Sequence, residues 1–475
     1  MKKYSLLLTD LYELTMAQGY FLYKNNEYAV FELSFRKAPF NGSYIIFAGL
    51  ETLVDIILNL KVEDSDIEYL KSLGLFKKEF LEYIKNFKFI GDIYSVEEGE
   101  IVFPKEPVLR IHAPIIQAQL VESIVLNTIN FQSLIATKTA RIIEVANGKA
   151  VLEFGFRRAQ GIDGALSASR AAYIAGASGT SNVLAGKIYG IPVRGTMAHS
   201  WVMSFSSELE SFEKFMKLYP ENTILLIDTY DTIKSGIKNA IRVLKKLKKK
   251  GFKNFGVRLD SGDLETLSKQ VREILDKEGL KEAKIVVSNE LDEYIISQLL
   301  NRGSPIDMFG VGTKLITGHP DASLGGVYKI VAKRQNKNYV PVIKFSDMPE
   351  KISLPHIKNV TRFYTKDRFL FDIIHLENEK FKKNNLLYHP DFHYELKKPE
   401  SFDFERKLLL KKIVENGKLI YKFPDLLHIR EKTKNNLKFL PFEYKRLINP
   451  HIYVVGISKK LKILKEKLIK EKKCN

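Results

Sequence analysis

Residues 223–260 read TILLIDTYDTIKSGIKNAIRVLKKLKKKGFKNFGVRLD, and the succession of patterns in that stretch decides the fold. TILLIDT is a near-continuous apolar run ending on an acid, and NFGVRLD repeats the design after an intervening helix. Between them Ile233, Ile237, Ile241, Leu244 and Leu247 fall on one helical face, with lysines on the other. An apolar strand, an amphipathic helix and a second apolar strand form a crossover unit of a parallel sheet covered on both faces. Outward from this stretch the alternation continues through AVLEFGF (150–156), IPVRGTM (191–197), KIVVSNE (284–290), DMFGVGT (307–313) and GGVYKIV (325–331). Seven such strands predict a closed or nearly closed α/β barrel rather than an open sheet.

The flanks differ. Residues 28–47 and 87–112 hold short strand runs punctuated by Pro39, Gly42, Gly91, Gly99, Pro104 and Pro107, with helix between 50 and 85. Pro114 opens a long helical pattern with Ile116, Leu120, Ile124 and Ile129 on one face. In the first twenty residues, Thr9 or Asp10 is positioned to cap a short helix with Leu7, Leu11, Leu14 and Met16 as its apolar stripe. The expected organisation is an N-terminal α+β domain (1–135), an α/β barrel (136–345) and a small, basic C-terminal appendage (346–475). Part of that last region returns to the N-terminal layer.

Composition narrows the function classes. The 475 residues are 45% hydrophobic and 28% charged, ordinary for a globular chain with two or three domains. The single cysteine, Cys474, excludes intrachain disulfides and a cysteine-based zinc site. No apolar run approaches the roughly eighteen residues a membrane helix needs, and Asp10 and Glu13 interrupt the apolar start, so the expectation is a cytoplasmic protein without a membrane partner. The formal charge of +19 raises nucleic-acid binding as a different-class reading. The lysines cluster in helical surfaces such as 245–250 and 459–473, with no aromatic interleaving, so solvated helix faces are the better account. A basic surface also favours polyanionic small substrates.

In a barrel the loops after the strand C-termini build the active site. Here those positions carry Arg157 and Arg158, Thr196 and His199, Asp228, Asp260 and Asp263, Ser288 and Asn289, and Gly310-Val311-Gly312-Thr313. The Gly-x-Gly-Thr turn offers backbone N–H groups and a hydroxyl to an anion, and adjacent arginines suit a pyrophosphate. Either arginine could instead pair with a neighbouring helix. Asp260 and Asp263 suit ribose hydroxyls or a hydrated magnesium ion, or one of them caps the next helix. His199, close to the only tryptophan, Trp201, is a candidate nucleophile or acid/base. Two echoes fail. Residues 181–188 lack the first glycine and the final hydroxyl of a phosphate-binding P-loop, and Asp228 and Asp231 are split where the open-sheet phosphoribosyltransferase loop has adjacent acids.

Taken together, LLTDLYELTMAQGY (7–20), EFGFRRAQGIDGALSASRAA (153–172), GTMAHSW (195–201), DTYDT (228–232), GVRLDSGDL (256–264), VGT (311–313) and LGGVYKI (324–330) closely resemble the nicotinate phosphoribosyltransferase family. The resemblance runs from residue 5 to about 345 and weakens beyond. It implies an irregular, incomplete α/β barrel with an N-terminal domain, working as a homodimer. The implied reaction joins nicotinate to phosphoribosyl pyrophosphate, with ATP as co-substrate hydrolysed through a phosphohistidine at His199. It further implies that Tyr12 (from the partner subunit), Thr196 and Arg258 hold nicotinate and that Phe154 stacks on its ring. Arg157, Asp260, Ser288, Gly312 and Thr313 would hold phosphoribosyl pyrophosphate, with Mg2+ riding on it and no metal ligated by protein side chains alone. His199, Arg258 and Asp260 are the expected catalytic residues. Nicotinamide-using relatives carry an acid after a Gly-Thr pair; here Gly179-Thr180 is followed by Ser181, and Arg258 is available for a carboxylate. This favours the acid over nicotinamide, with quinolinate as the other same-class alternative.

Overall fold

A computed structural model describes residues 4–24, 27–379, 387–392, 394–396 and 404–473. Cys474 lies outside the described residues. The chain divides into two compact units, Ile135–Ala322 and a second made of Met1–Leu134 with Ser323–Asn475.

Unit Ile135–Ala322 is built on six parallel strands among the described residues: β1 (Ala150–Glu153), β2 (Gly179–Thr180), β3 (Thr223–Leu226), β4 (Phe255–Leu259), β5 (Lys284–Val287) and β6 (Met308–Val311). Their spatial order is β3-β4-β5-β6-β1-β2, which makes β3 and β2 the two edge strands of an incomplete barrel. The strands pair with their C-terminal ends aligned, Leu226 with Arg258, Leu259 with Val287, Val311 with Glu153, and Glu153 with Thr180. That register sets Asp260, Ser288, Gly312, Phe154 and Ser181, each the first residue after its strand, on one rim. Helices follow the strands and bury their apolar stripes; Ile237–Lys249 buries Ile237, Ala240, Ile241, Val243, Leu244 and Leu247. Three lysines on its outer face are paired with acids, Lys245 with Glu278, Lys246 with Glu213 and Lys248 with Glu282.

Two of the seven expected strands are not part of this sheet. IPVRGTM contributes only an isolated parallel bridge between Val193 and Thr180, because Pro192 has no N–H to extend a ladder. GGVYKIV, assigned by sequence to the barrel, belongs to the other unit, where Gly326–Gln335 pairs antiparallel with Tyr28–Phe35. Its alternation of buried Tyr328 with partly exposed Lys329 is the signature of that sheet type. Conversely Gly179-Thr180, not among the seven expected strands, is the short edge strand β2. The helix expected from residue 233 begins at Ile237, preceded by a wide π-turn over Thr232–Gly236, so Ile233 falls off its stripe.

The second unit carries a seven-stranded sheet in the order Asn338–Pro341, Gly326–Gln335, Tyr28–Phe35, Pro107–Pro114, Asp92–Ser95, Lys411–Glu415 and Lys418–Leu419. A six-stranded sheet includes Lys358–Tyr364, Phe369–Leu376 and Val455–Ile457. The C-terminal region is thus woven into the N-terminal layer: Lys411–Glu415 extends its sheet, and buried Arg362 pairs with Asp372 (2.6 Å) and Glu100 (3.1 Å). The N-terminal helix is Leu11–Tyr23; Leu14 is buried, but Leu11 and Met16 of its expected packing stripe are exposed. Among the described residues no helix is long and apolar enough to cross a membrane.

Candidate active site at the strand ends

The rim encloses a cleft of about 320 Å³ lined by Phe154, Arg157, Arg158, Ser181, Thr196, Arg258, Asp260, Ser288, Asn289, Glu290, Gly312 and Thr313. Of the residues expected from sequence in this unit, Phe154, Arg157, Arg158, Thr196, Arg258, Asp260, Ser288, Asn289, Gly312 and Thr313 line the cleft, whereas His199, Asp228 and Asp263 do not. His199 stands beside it, its Nε2 3.8 Å from Asp260 Oδ2. Tyr12 lies on the other unit's helix Leu11–Tyr23, with 46% of its surface exposed.

Arg258, on β4, donates from Nη1 to Thr196 Oγ1 (3.1 Å) and from Nη2 to the Met197 carbonyl (3.2 Å). Its Nε is buried without a protein acceptor, which leaves part of the guanidinium fork for a ligand. Burial pulls its pKa down while Asp260 and Asp228 work the other way and Arg157 adds to the lowering; a guanidinium remains charged regardless. Phe154 forms a wall against Gly310. A Cβ at Gly310 would come within 2.6 Å of the ring, so the close approach needs glycine there.

The acids divide by role. Asp260 Oδ1 accepts a short hydrogen bond from Ser288, and its Oδ2 faces His199. Asp228 Oδ2 accepts from the Asp260 backbone N–H (2.9 Å) and the Ser261 hydroxyl (2.6 Å), which fixes the Asp260 loop. Asp263 and Asp231 cap helices, accepting from Thr266 N–H (2.7 Å) and Lys234 N–H (2.7 Å) respectively. The helix-cap alternative for the Asp260–Asp263 pair therefore holds for Asp263. Arg157 and Arg158 emerge on a single 3-10 turn, both exposed and neither ion-paired among the described residues, so the expected salt bridge for one of them is absent.

His199 opens the short helix His199–Met203, and its Nδ1 is 3.1 Å from Thr229 Oγ1. Trp201, its near neighbour in sequence, turns away to donate to the Ser211 carbonyl (3.1 Å) and packs on Phe205 and Phe215. Thr229 and Glu290, whose carboxylate lies 3.5 Å from Thr313 Oγ1, are site neighbours beyond those expected from sequence. Asn289 and Glu290 both have positive φ, 86° and 20°, a local strain of the kind that concentrates at functional loops. The available signal was position alone: each follows an apolar run.

A site of this make-up can bind a flat ring with an anionic substituent at Arg258 and a polyanion at the arginine turn, with hydroxyl recognition at Asp260 and Ser288 between them. The comparisons with known proteins agree on a family. The model of the nicotinate phosphoribosyltransferase (NAPRTase) N-terminal domain matches residues 7–130, that of the NAPRTase family 150–384, and that of the C-terminal domain 357–465. The nicotinate phosphoribosyltransferase of Bacillus subtilis (strain 168) is 42% identical over 95% of this chain and 92% of its own.

The chain belongs to the nicotinate phosphoribosyltransferase family.

A more distant nicotinate phosphoribosyltransferase, from Caenorhabditis elegans, is 36% identical over 96% of this chain and 92% of its own. The crystal structure of human nicotinic acid phosphoribosyltransferase superposes with a TM-score of 0.85 at 30% identity, covering 97% of this chain and 99% of that one. The fold of the described residues is therefore that of the nicotinate phosphoribosyltransferase family.

Proposed function

We propose that the chain joins nicotinate to 5-phosphoribosyl 1-pyrophosphate, giving nicotinate mononucleotide and pyrophosphate, with coupled hydrolysis of ATP in NAD biosynthesis. The observation that carries the choice of acceptor is Arg258, whose buried Nε has no protein partner, in a cleft also lined by uncharged Ser181. Such a site favours a carboxylate, whose charge-assisted hydrogen bonds to a guanidinium are stronger than those of a neutral amide carbonyl.

In this reading Phe154 stacks on the pyridine ring while Arg258 and Thr196 hold its carboxylate. The ring nitrogen attacks C1 of the ribose as the bond to pyrophosphate breaks, through a transition state with cationic sugar character. Asp260 and Ser288 orient the ribose hydroxyls, and Arg157 with the Gly312-Thr313 turn receives the departing polyanion; positioning and fixed charge provide the acceleration. His199 takes the γ-phosphoryl group of ATP, releasing ADP, and later yields it to water. Its place beside Asp260 puts the added charge where it alters the hold on pyrophosphate.

Among the described residues no group of three or more His, Cys, Asp or Glu side chains is placed to hold a metal ion alone. Asp260 and the unpartnered, buried Oδ1 of Asp228 suit an ion that keeps its waters and takes its other ligands from pyrophosphate. Magnesium bound there would neutralise the leaving group. Tyr12 completes the nicotinate site from a partner subunit, and the exposed Leu11, Tyr12 and Met16 support a homodimer contact on that helix. A cytoplasmic location, where both phosphorylated substrates are available, belongs to the same proposal.

The test is chromatographic detection of nicotinate mononucleotide, one per pyrophosphate, from purified protein with nicotinate, phosphoribosyl pyrophosphate, ATP and magnesium. Pyrophosphate without the mononucleotide would refute the assignment.

A further inference from the structure

Glu153 closes β1 at 0% exposure and does not line the cleft, yet donors from three elements converge on its carboxyl group. The Gly155 N–H donates to Oε1; the Ser169 hydroxyl (2.9 Å) and the Thr180 hydroxyl donate to Oε2. The backbone strengthens the same junction, since Glu153 is in register with Thr180 and its carbonyl accepts from the Ser181 N–H (2.9 Å). Thr180 Oγ1 in turn accepts from the Asn182 N–H (2.9 Å), and Asn182 Oδ1 caps the helix Val183–Tyr189 through the Ala185 N–H (3.2 Å).

The partners are informative because of what they adjoin. Gly155 separates Phe154 from the turn that carries Arg157, and Thr180 immediately precedes Ser181. An apolar residue in place of Glu153 would fill the interior without the desolvation cost of a buried carboxyl group. Neither Phe154 nor Ser181 can shift without stretching hydrogen bonds to this one side chain, and bonds to an acidic acceptor are short and directional.

We propose that Glu153 is a positioning residue that locks the Phe154–Arg157 turn to the Ser181 turn and thereby sets the discrimination between a pyridine carboxylate and a pyridine amide. This rests on the acceptor reading above. Loss of the lock lets the ring wall and the Ser181 turn drift apart, so nicotinate binds less well and the advantage over nicotinamide shrinks.

The experiment compares full-length wild type with Glu153→Ala, Glu153→Gln and Thr180→Val by steady-state kinetics with nicotinate and with nicotinamide, alongside thermal melting. In Thr180→Val and Glu153→Ala the nicotinate KM is expected to rise on the order of tenfold, the effect of leaving a buried polar group without its partner. The ratio of kcat/KM for nicotinate over nicotinamide falls with it. Glu153→Gln, which keeps an acceptor for the Gly155 N–H, is the milder variant. Folded variants that melt lower but keep the wild-type KM and acceptor ratio would overturn the proposal, because a purely structural role predicts that result. Should Glu153→Ala not fold, Thr180→Val alone decides the outcome. Wild type that does not use nicotinate contradicts the functional reading itself, a result separable from either variant outcome.

Discussion

In the proposed reaction, His199 is the side chain on which coupling to ATP rests. With Nδ1 held near Thr229 and Nε2 facing Asp260, it is oriented at the edge of the cleft rather than inside it. Replacing it should therefore separate two activities. His199→Ala is expected to abolish ATP hydrolysis and the stimulation by ATP, while leaving a slower, ATP-independent transfer to nicotinate. Parallel measurement of ADP and pyrophosphate checks this, and undiminished ADP release in the variant would remove His199 from the coupling. At this scale Arg157, Asp260, Ser288 and Thr313 were legible because each sits just after an apolar run, where a parallel strand must end, whereas Phe154 and Arg258 were marked only by the family resemblance. Thr229 and Glu290 also follow apolar runs, but what singles them out is contact with His199 and Thr313, and Glu153 is singled out by Ser169 and Thr180; no spacing rule announces those contacts. Asp263 and Asp231 show the converse problem: an acid just before a helix looks the same whether it meets a ligand or caps the helix.

Among the elements, the aligned ends of β1, β4, β5 and β6 create the site, and glycine is what lets them come close. A methyl group at Gly310 would press on the Phe154 ring at 2.6 Å. Gly310→Ala is thus expected to push the ring into the cleft and raise the nicotinate KM several-fold, with the KM for phosphoribosyl pyrophosphate less affected. Equal KM values in variant and wild type would show that the ring does not contact the acceptor. The apolar runs of β1 and β3 to β6 were readable because strands buried on both faces carry little else. IPVRGTM looked equally apolar, but Pro192 removes the N–H that a ladder requires. GGVYKIV was misassigned because a run of seven residues does not reveal which sheet it joins; only its pairing with Tyr28–Phe35 does. β2 escaped notice because two residues leave no period to detect.

For the molecule as a whole, stability has a built-in acid limit in the antiparallel unit. Burial, with Arg110 and then Lys412 nearby, pushes the His112 imidazole from its ordinary 6.5 down to about 3. The folded chain resists a proton that the unfolded chain accepts, so below pH 6.5 the unfolded state binds more protons and stability falls until about pH 3. The slope from one such group is at most about 1.4 kcal/mol per pH unit. His112→Gln should flatten the decline between pH 6.5 and 4 in urea unfolding; an unchanged slope would exclude His112 as its source. The division of the chain was only partly visible in its sequence. The N-terminal layer and the barrel differ in pattern, but the return of the C-terminal region depends on pairings such as Lys411–Glu415 with Asp92–Ser95, and on the burial of Arg362 between Asp372 and Glu100. A lysine-rich surface hid that interior.

The central claim is that this cleft accepts a pyridine carboxylate and transfers phosphoribose to it. The most direct measurement is pyrophosphate release from phosphoribosyl pyrophosphate by the purified protein with nicotinate, nicotinamide or quinolinate, each with and without ATP. The account predicts release with nicotinate, increased by ATP and accompanied by ADP, and little or none with the other two acceptors. Release that depends on nicotinamide or quinolinate instead, or no nicotinate-dependent release under any condition, would contradict it.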